Sequence, residues 1–109
     1  MKLRIRLAKP DDMAFVVDAW KRSYEGAPAV KGADREHYRI EMTRAIRRLC
    51  DRAEVRVACD PADEDTLVGF AAFTRSASGA AELHYIYVKK DFRGHGIARD
   101  LLEGVRVQT

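Results

Sequence analysis

The spacing of apolar residues changes along this 109-residue chain, and the resulting order of elements is what most constrains its fold. In residues 2–7, Leu and Ile alternate with Lys and Arg, which predicts a half-buried strand. Two segments with apolar residues at helical spacing follow, then three strand-like segments and a last helical one. The predicted order is strand, two helices, three strands and a helix.

Local signals place the boundaries of these elements. Asp11 and Asp12 follow Pro10 and are expected to cap the first helix, because carboxylates accept the free amide hydrogens of a first turn. The helices are predicted over residues 13–24, 34–49 and from about 94–96 to Val107, and the later strands over residues 55–59, 67–74 and 81–88. A loop is expected at Gly26, Pro28 and Gly32, and turns at residues 61–65 and 76–79.

The two predicted helical stripes are Met13, Val16, Val17, Trp20 and Tyr24 in the first, and Tyr38, Met42, Ala45, Ile46 and Leu49 in the second. Leu3, Ile5 and Leu7 form the predicted buried face of the first strand.

Length and composition predict one small domain over residues 1–109. The net charge of +3 is too small to indicate nucleic-acid binding by itself. No apolar run is long enough for a membrane span and the start is not a secretory signal, so a cytoplasmic location is expected. Cys50 and Cys59 form no CxxC pair and the histidines are scattered, so no metal site is predicted.

The stretch from Val88 to Arg99 carries the clearest chemical signal, because a strand ends, a basic turn follows and a helix begins with two glycines. Unpaired amides at a helix start favour an anion, and glycines at 94 and 96 let a phosphate approach the backbone. The alternative is a tight strand-to-helix connection with ordinary surface cations. The pattern is neither a P-loop nor a dinucleotide fingerprint.

The run Arg93-Gly94-His95-Gly96-Ile97-Ala98 resembles the Q/R-x-x-G-x-G/A signature of the GCN5-related N-acetyltransferase (GNAT) superfamily, through Arg93, Gly96 and Ala98. The flanking residues resemble that family's fourth strand and third helix, and the upstream order of elements is similar too. The resemblance implies an α+β fold with a mixed, mainly antiparallel sheet flanked by helices, in the order β-α-α-β-β-β-α.

The resemblance also implies a co-substrate, acetyl-CoA, and the residues that bind it. The loop amides would hold the pyrophosphate, the pantetheine arm would pair with the fourth strand, and an amide near Val88 would polarise the thioester carbonyl. The implied binding residues are Ile86, Tyr87, Val88, Arg93, Gly94, His95, Gly96, Ile97, Ala98 and Arg99.

Glu82 and His84 are the candidate catalytic residues, because an amine must lose a proton to be acylated. Glu82 resembles the catalytic glutamate of the histone-acetyltransferase branch, and His84 shares its face if the strand is regular. A regular strand would place Tyr85 and Tyr87 on the opposite face. The alternatives are a solvent-facing glutamate and a hydrogen-bonded structural histidine, and a family bulge in this strand would rotate either residue.

The resemblance places the acceptor near the end of the first helix, where Trp20, Ser23, Tyr24 and Glu25 lie, and Trp20 is expected in the core. A separate row of arginines on the second helix is most simply a solvated face, with nucleic-acid binding as the sharper alternative. This row consists of Arg44, Arg47, Arg48 and Arg52.

The family normally continues past the third helix with a fifth strand, a fourth helix and further strands, which this sequence is expected to lack. We therefore expect an acetyl-CoA-dependent transferase acting on a small-molecule or protein primary amine by direct attack. The alternative is a non-catalytic structural or interaction subunit, as in a viral assembly. A homo-oligomer or larger assembly would cover the exposed sheet edge.

Overall fold

A computed structural model describes residues 2–24 and 35–108, so the predicted loop at Gly26, Pro28 and Gly32 lies outside the described residues. The strands are β1 Arg4–Leu7, β2 Glu54–Asp60, β3 Asp63–Arg75, β4 Ala80–Val88 and β5 Arg106–Val107. The helices are α1 Met13–Arg22, α2 Arg35–Arg52 and α3 Ile97–Leu101, with single 3-10 turns at Pro10–Asp12 and Lys90–Phe92.

The five strands form one sheet in the order in which they occur in the chain. The first four pair antiparallel, and β5 pairs parallel with the start of β4. This arrangement confirms the predicted α+β class with a mixed, mainly antiparallel sheet.

Each face of the sheet is covered by different helices. On one face, α1 and α2 cover Val55, Val57, Phe70 and Ala72. On the other face, the short α3 covers Ala58, Val68 and Ala71 through Ile97 and Leu101. The sheet is therefore apolar on both sides, and burial of these side chains is the main force that stabilises it.

The predicted stripe of α1 is confirmed, with Val16, Val17 and Trp20 in the core. The stripe of α2 is narrower than predicted, because Ile46 is buried while Ala45 is exposed. Leu7 was also expected on a buried face, but it is 63% exposed.

Asp12 does not cap α1 as expected. Its carboxylate instead accepts the backbone amide of Lys9 at 2.7 Å and two hydrogen bonds from the Arg6 guanidinium, at 2.6 and 3.1 Å. The 3-10 turn at Pro10–Asp12 points the carboxylate back towards β1. No side-chain cap is present at the start of α1.

The turn predicted at residues 61–65 is wrong in extent, because β3 already begins at Asp63 and pairs there with Asp60. The Asp60 carboxylate accepts the Ala62 amide at 2.8 Å and closes the hairpin. Register shifts at Cys59 absorb the unequal strand lengths.

The last helix was predicted to continue to about Val107, but α3 ends at Leu101. Gly104 has a positive φ of 74° and turns the chain back to the sheet. The Arg56 guanidinium donates to the Glu103 carbonyl at 2.8 Å, and Gln108 donates to Ala81 at 2.7 Å. The chain therefore contains the short parallel strand β5, which was not expected.

Candidate functional site

Strand β4 contains a β-bulge at His84. Tyr85 pairs with Ala72 and Leu83 pairs with Phe73, so His84 is an extra residue between these two pairs. A bulge shifts the alternation of side chains by one residue, so the side chains beyond it change faces. Tyr85 and Tyr87 consequently lie on the α1 face with Phe70, and their expected position on the face opposite His84 is wrong.

Beyond its first two residues, β4 has an open edge, with no strand of residues 2–24 and 35–108 paired to it. Strand β5 pairs only with Ala80 and Ala81. The Lys89 amide donates to the Val68 carbonyl at 2.8 Å, and alternate residues of an antiparallel ladder face the same neighbour. Tyr87 therefore directs its backbone groups to β3, whereas Ile86 and Val88 direct theirs to the open edge. These are backbone positions that an extended ligand could pair with.

The glycine loop after β4 presents a row of free amides. Gly94 and Gly96 have φ values of 83° and 80°, which favour glycine. The first helical bond joins the Asp100 amide to the Gly96 carbonyl at 3.0 Å. Within the described part of the chain, the amides of residues 94–99 donate no hydrogen bond. They can donate hydrogen bonds to an anionic group.

The cations around this loop do not all face it. Arg99 does, since a Cβ added to Gly96 would lie 3.0 Å from the Arg99 guanidinium. Arg93 donates from Nε to the Val88 carbonyl at 2.8 Å and so lies at the open edge of β4. Lys89 instead lies over the Phe15 ring, with Nζ 5.4 Å from the ring centre, next to α1.

A groove of about 280 Å³ runs from this edge to the end of α1. It is lined by Ala19, Arg22, Ser23, Tyr85, Tyr87 and Arg93. The Tyr85 ring stacks on Trp20, with 5.2 Å between the ring centres, so one wall is held by the core. Sequence reasoning anticipated Ser23 and the tyrosines but missed Ala19 and Arg22, which carry no motif.

Trp20 is 3% exposed, which confirms its expected place in the core. Its indole Nε1 donates to the Tyr24 hydroxyl at 3.4 Å. Tyr24 is exposed and follows the end of α1 that borders the groove. Glu25 lies outside the described residues.

Glu82 and His84 both lie near Thr74 of β3. Glu82 is directly opposite Thr74 in the ladder and is exposed. His84 is half-buried, and its Nε2 lies 2.7 Å from the Thr74 Oγ1. Thr74 was missed by sequence reasoning, because only the register of β3 against β4 brings it to the histidine.

The two cysteines are free thiols on the α1 and α2 face. Burial raises the pKa of the Cys50 thiol, and Cys59 is completely buried. Among residues 2–24 and 35–108, no group of three or more His, Cys, Asp or Glu residues is placed to hold a metal ion. No helix in the same residues is long and apolar enough to cross a membrane.

The arginine row of α2 is exposed at Arg44, Arg47, Arg48 and Arg52. Arg44 lies 3.8 Å from Glu41 on the same helix, a surface pair of small energetic weight. The row has the character of a solvated helix face.

The chain matches the model of the Acetyltransferase (GNAT) family over residues 14–106. A sequence search of curated proteins finds no match.

Similar solved structures cover 95% of the chain. The GNAT family N-acetyltransferase YhbS from Escherichia coli, solved in complex with CoA, has 21% identity and a TM-score of 0.64, with 54% of its own length covered. The apo form of YjaB from Escherichia coli has 26% identity, a TM-score of 0.59 and 64% coverage.

A Corynebacterium glutamicum protein described as histone acetyltransferase HPA2 and related acetyltransferase has 19% identity, a TM-score of 0.68 and 70% coverage. The chain thus spans between about half and about two thirds of these proteins' length. None of these matches favours the alternative of a non-catalytic subunit.

Proposed function

Because this chain belongs to the Acetyltransferase (GNAT) family, we propose that it transfers an acetyl group from acetyl-CoA to a primary amine by direct attack. Acetyl-CoA is the family's co-substrate and supplies the activated thioester. The acceptor is a small molecule or a protein amine.

One observation carries the proposal: the free amides of residues 94–99 directly follow the open edge of β4. An extended ligand that carries a phosphate needs an anion site next to a free strand edge, so that both parts of the ligand can bind at once. Both features are supplied by one stretch of 14 residues, from Ile86 to Arg99.

We assign the donor site to this stretch. The amides from Gly94 to Ala98 would hold the pyrophosphate, and the Arg99 guanidinium beside Gly96 would add positive charge. The outward backbone groups of Ile86 would pair with the pantetheine arm, and Val88 would contribute its amide, since its carbonyl already accepts Arg93 Nε. The Val88 amide would donate to the thioester carbonyl, where charge develops during the reaction.

Deprotonation of the acceptor is the second task of the site. A lysine-type amine has a pKa near 10.4, so only about 0.04% of it is neutral at pH 7. Glu82 and His84 are the two groups we propose for taking this proton, directly or through water. The groove lined by Arg22, Tyr85 and Tyr87 is the proposed approach of the acceptor.

Calorimetric titration with acetyl-CoA tests the donor site. Gly96→Glu places a carboxylate at the anion site and should abolish measurable binding. Gly79→Glu is the matched control, since Gly79 also has a positive φ, of 89°, but lies in the β3–β4 turn at the opposite end of β4. An equal loss of acetyl-CoA affinity in both variants would mean that backbone strain, not the added charge, causes the effect. If the wild type binds no acetyl-CoA up to millimolar concentration, the proposal is overturned.

Residues 1–109 are proposed to be one domain, working in the cytoplasm, where free thiols such as Cys50 and Cys59 persist. A second copy or another subunit would cover the open edge of β4, and analytical ultracentrifugation with and without acetyl-CoA tests this association.

A further inference from the structure

The bulge in β4 gives His84 a partner that a regular strand would not. As the extra residue, His84 lies between the pairs Tyr85–Ala72 and Leu83–Phe73. The alternation of β3 places Thr74 on the same face as Phe70 and Ala72, which is the face of α1 and the groove. The imidazole Nε2 reaches the Thr74 Oγ1 at 2.7 Å, a short, well-formed hydrogen bond.

This contact restricts the chemistry of the imidazole. A neutral histidine has one N–H donor and one acceptor nitrogen. If Thr74 donates to Nε2, the ring proton sits on Nδ1. The one accepting lone pair of the imidazole, on Nε2, is then already used by the threonine hydroxyl. If Nε2–H donates to Thr74, Nδ1 remains a free base. The partner of one ring nitrogen thus decides whether the other can act.

We propose that Thr74 is a positioning residue that holds His84 in its Nε2–H tautomer, so that Nδ1 receives the proton of the acceptor amine. This inference rests on the proposed function. The amine nitrogen forms a bond to the acetyl carbonyl carbon, and the carbon–sulfur bond breaks with its electron pair leaving on sulfur. The amine proton passes to Nδ1 and from there to the thiolate or to water.

Glu82 has a place in the same arrangement. It lies directly opposite Thr74, and side chains of such pairs have Cβ atoms roughly 4.5–5.5 Å apart. Because Thr74 neighbours both residues, the negative charge of Glu82 would stabilise the imidazolium once the proton has moved. Glu82 is exposed, so water also reaches the pair and can remove the proton afterwards.

The tautomer can be measured without any acceptor. A long-range proton–nitrogen NMR spectrum of 15N-histidine-labelled protein, recorded with the imidazole neutral, distinguishes a protonated from an unprotonated ring nitrogen. We expect a protonated Nε2 and an unprotonated Nδ1 for His84 in the wild type. Thr74→Val should mix the two tautomers, and Thr74→Ser should keep the wild-type spectrum.

Turnover is measured as CoA thiol released from acetyl-CoA, with a peptide carrying a lysine and a free N-terminus as acceptor. Thr74→Val should lower kcat by roughly 10-fold, a part of what a general base contributes, with KM for acetyl-CoA unchanged. Thr74→Ser should recover most of the rate. Thr66→Val is the control, because it removes a hydroxyl of the same strand that donates to the Asp63 carboxylate, at 2.7 Å, in the β2–β3 hairpin.

A wild-type enzyme that is active with the proton on Nδ1 would overturn the proposal and leave the proposed function intact, as would an unchanged kcat in Thr74→Val. Absence of acetyl-CoA binding in calorimetry would instead remove the proposed function, and the role of Thr74 with it.

Discussion

The buried ion pair between Arg6 and Asp12 should be the most sensitive polar contact in the fold. The two side chains are 9% and 5% exposed, and two hydrogen bonds join them. Asp12 also accepts the Lys9 amide, and Arg6 donates to the Glu64 carbonyl at 2.8 Å. The pair therefore links β1, the first 3-10 turn and the start of β3.

Asp12→Asn removes the negative charge while keeping the shape, and it leaves the guanidinium buried without a counter-ion. Breaking a buried pair in this way costs about 3–5 kcal/mol, and we expect the lower end because the amide oxygen still accepts hydrogen bonds. For a domain whose stability is about 5–15 kcal/mol, this is a large fraction.

Urea unfolding followed by circular dichroism at pH 7 measures the change. Asp18→Asn is the matched control in α1, since Asp18 and Arg22 are 3.3 Å apart but 60% and 59% exposed. That surface pair should contribute less than about 1 kcal/mol. A loss of less than 1 kcal/mol in Asp12→Asn would refute the reasoning that the buried pair stabilises the fold.

The same pair should make stability depend on pH. The hydrogen bonds from Arg6, followed by that from the Lys9 amide, hold the pKa of Asp12 below its ordinary value. The unfolded-state pKa is about 3.9, so the stabilisation is complete above this pH and is lost as the pH falls through the lower, folded-state value. The gap between wild type and Asp12→Asn should be constant from about pH 7 to pH 5 and narrow below about pH 4.

Three further outcomes follow from the site and the core. Glu82→Gln should lower turnover at neutral pH by roughly 5-fold, the value of one exposed charge interaction, while calorimetry shows unchanged acetyl-CoA affinity; unchanged turnover would remove this carboxylate from the mechanism. Gly69→Ala should cost about 1–3 kcal/mol in urea unfolding and weaken acetyl-CoA binding, because its Cβ would lie 2.6 Å from the Tyr87 carbonyl oxygen and push β4 outward. In a thiol-reagent assay at pH 8, Cys50 should react slowly because burial raises its pKa, and Cys59 should react only on unfolding; fast reaction of both thiols would contradict the packing on that face.

The elements whose signals are local were predictable from the sequence. The apolar stripe of α1 and the three central strands depend on residue spacing, which directly reflects the period of each structure. The glycine turn at residues 94–96 was also readable, because a positive φ strongly favours glycine. The resemblance to the family rested on this same turn, and the match over residues 14–106 agrees with it.

The errors concern residues whose roles depend on distant partners. The end of α3 and the presence of β5 are set by Gly104 and by pairing with Ala81, about 25 residues earlier in the chain. Asp12 stands at a position where an aspartate commonly caps a helix. Its carboxylate instead pairs with the buried Arg6 guanidinium, because an unpaired buried charge costs more free energy than an uncapped helix start.

Residue spacing alone was enough to predict α1, α2, the strands β1 to β4 and the place where free amides can meet an anion, because those properties depend on neighbours in the chain. The bulge of β4 at His84, the contact of Thr74 with its imidazole and the position of Tyr85 on the α1 face depend instead on how β3 and β4 pair in the folded chain. Register between two strands is a property of the pair, and a shift of one residue exchanges the faces of every side chain beyond it.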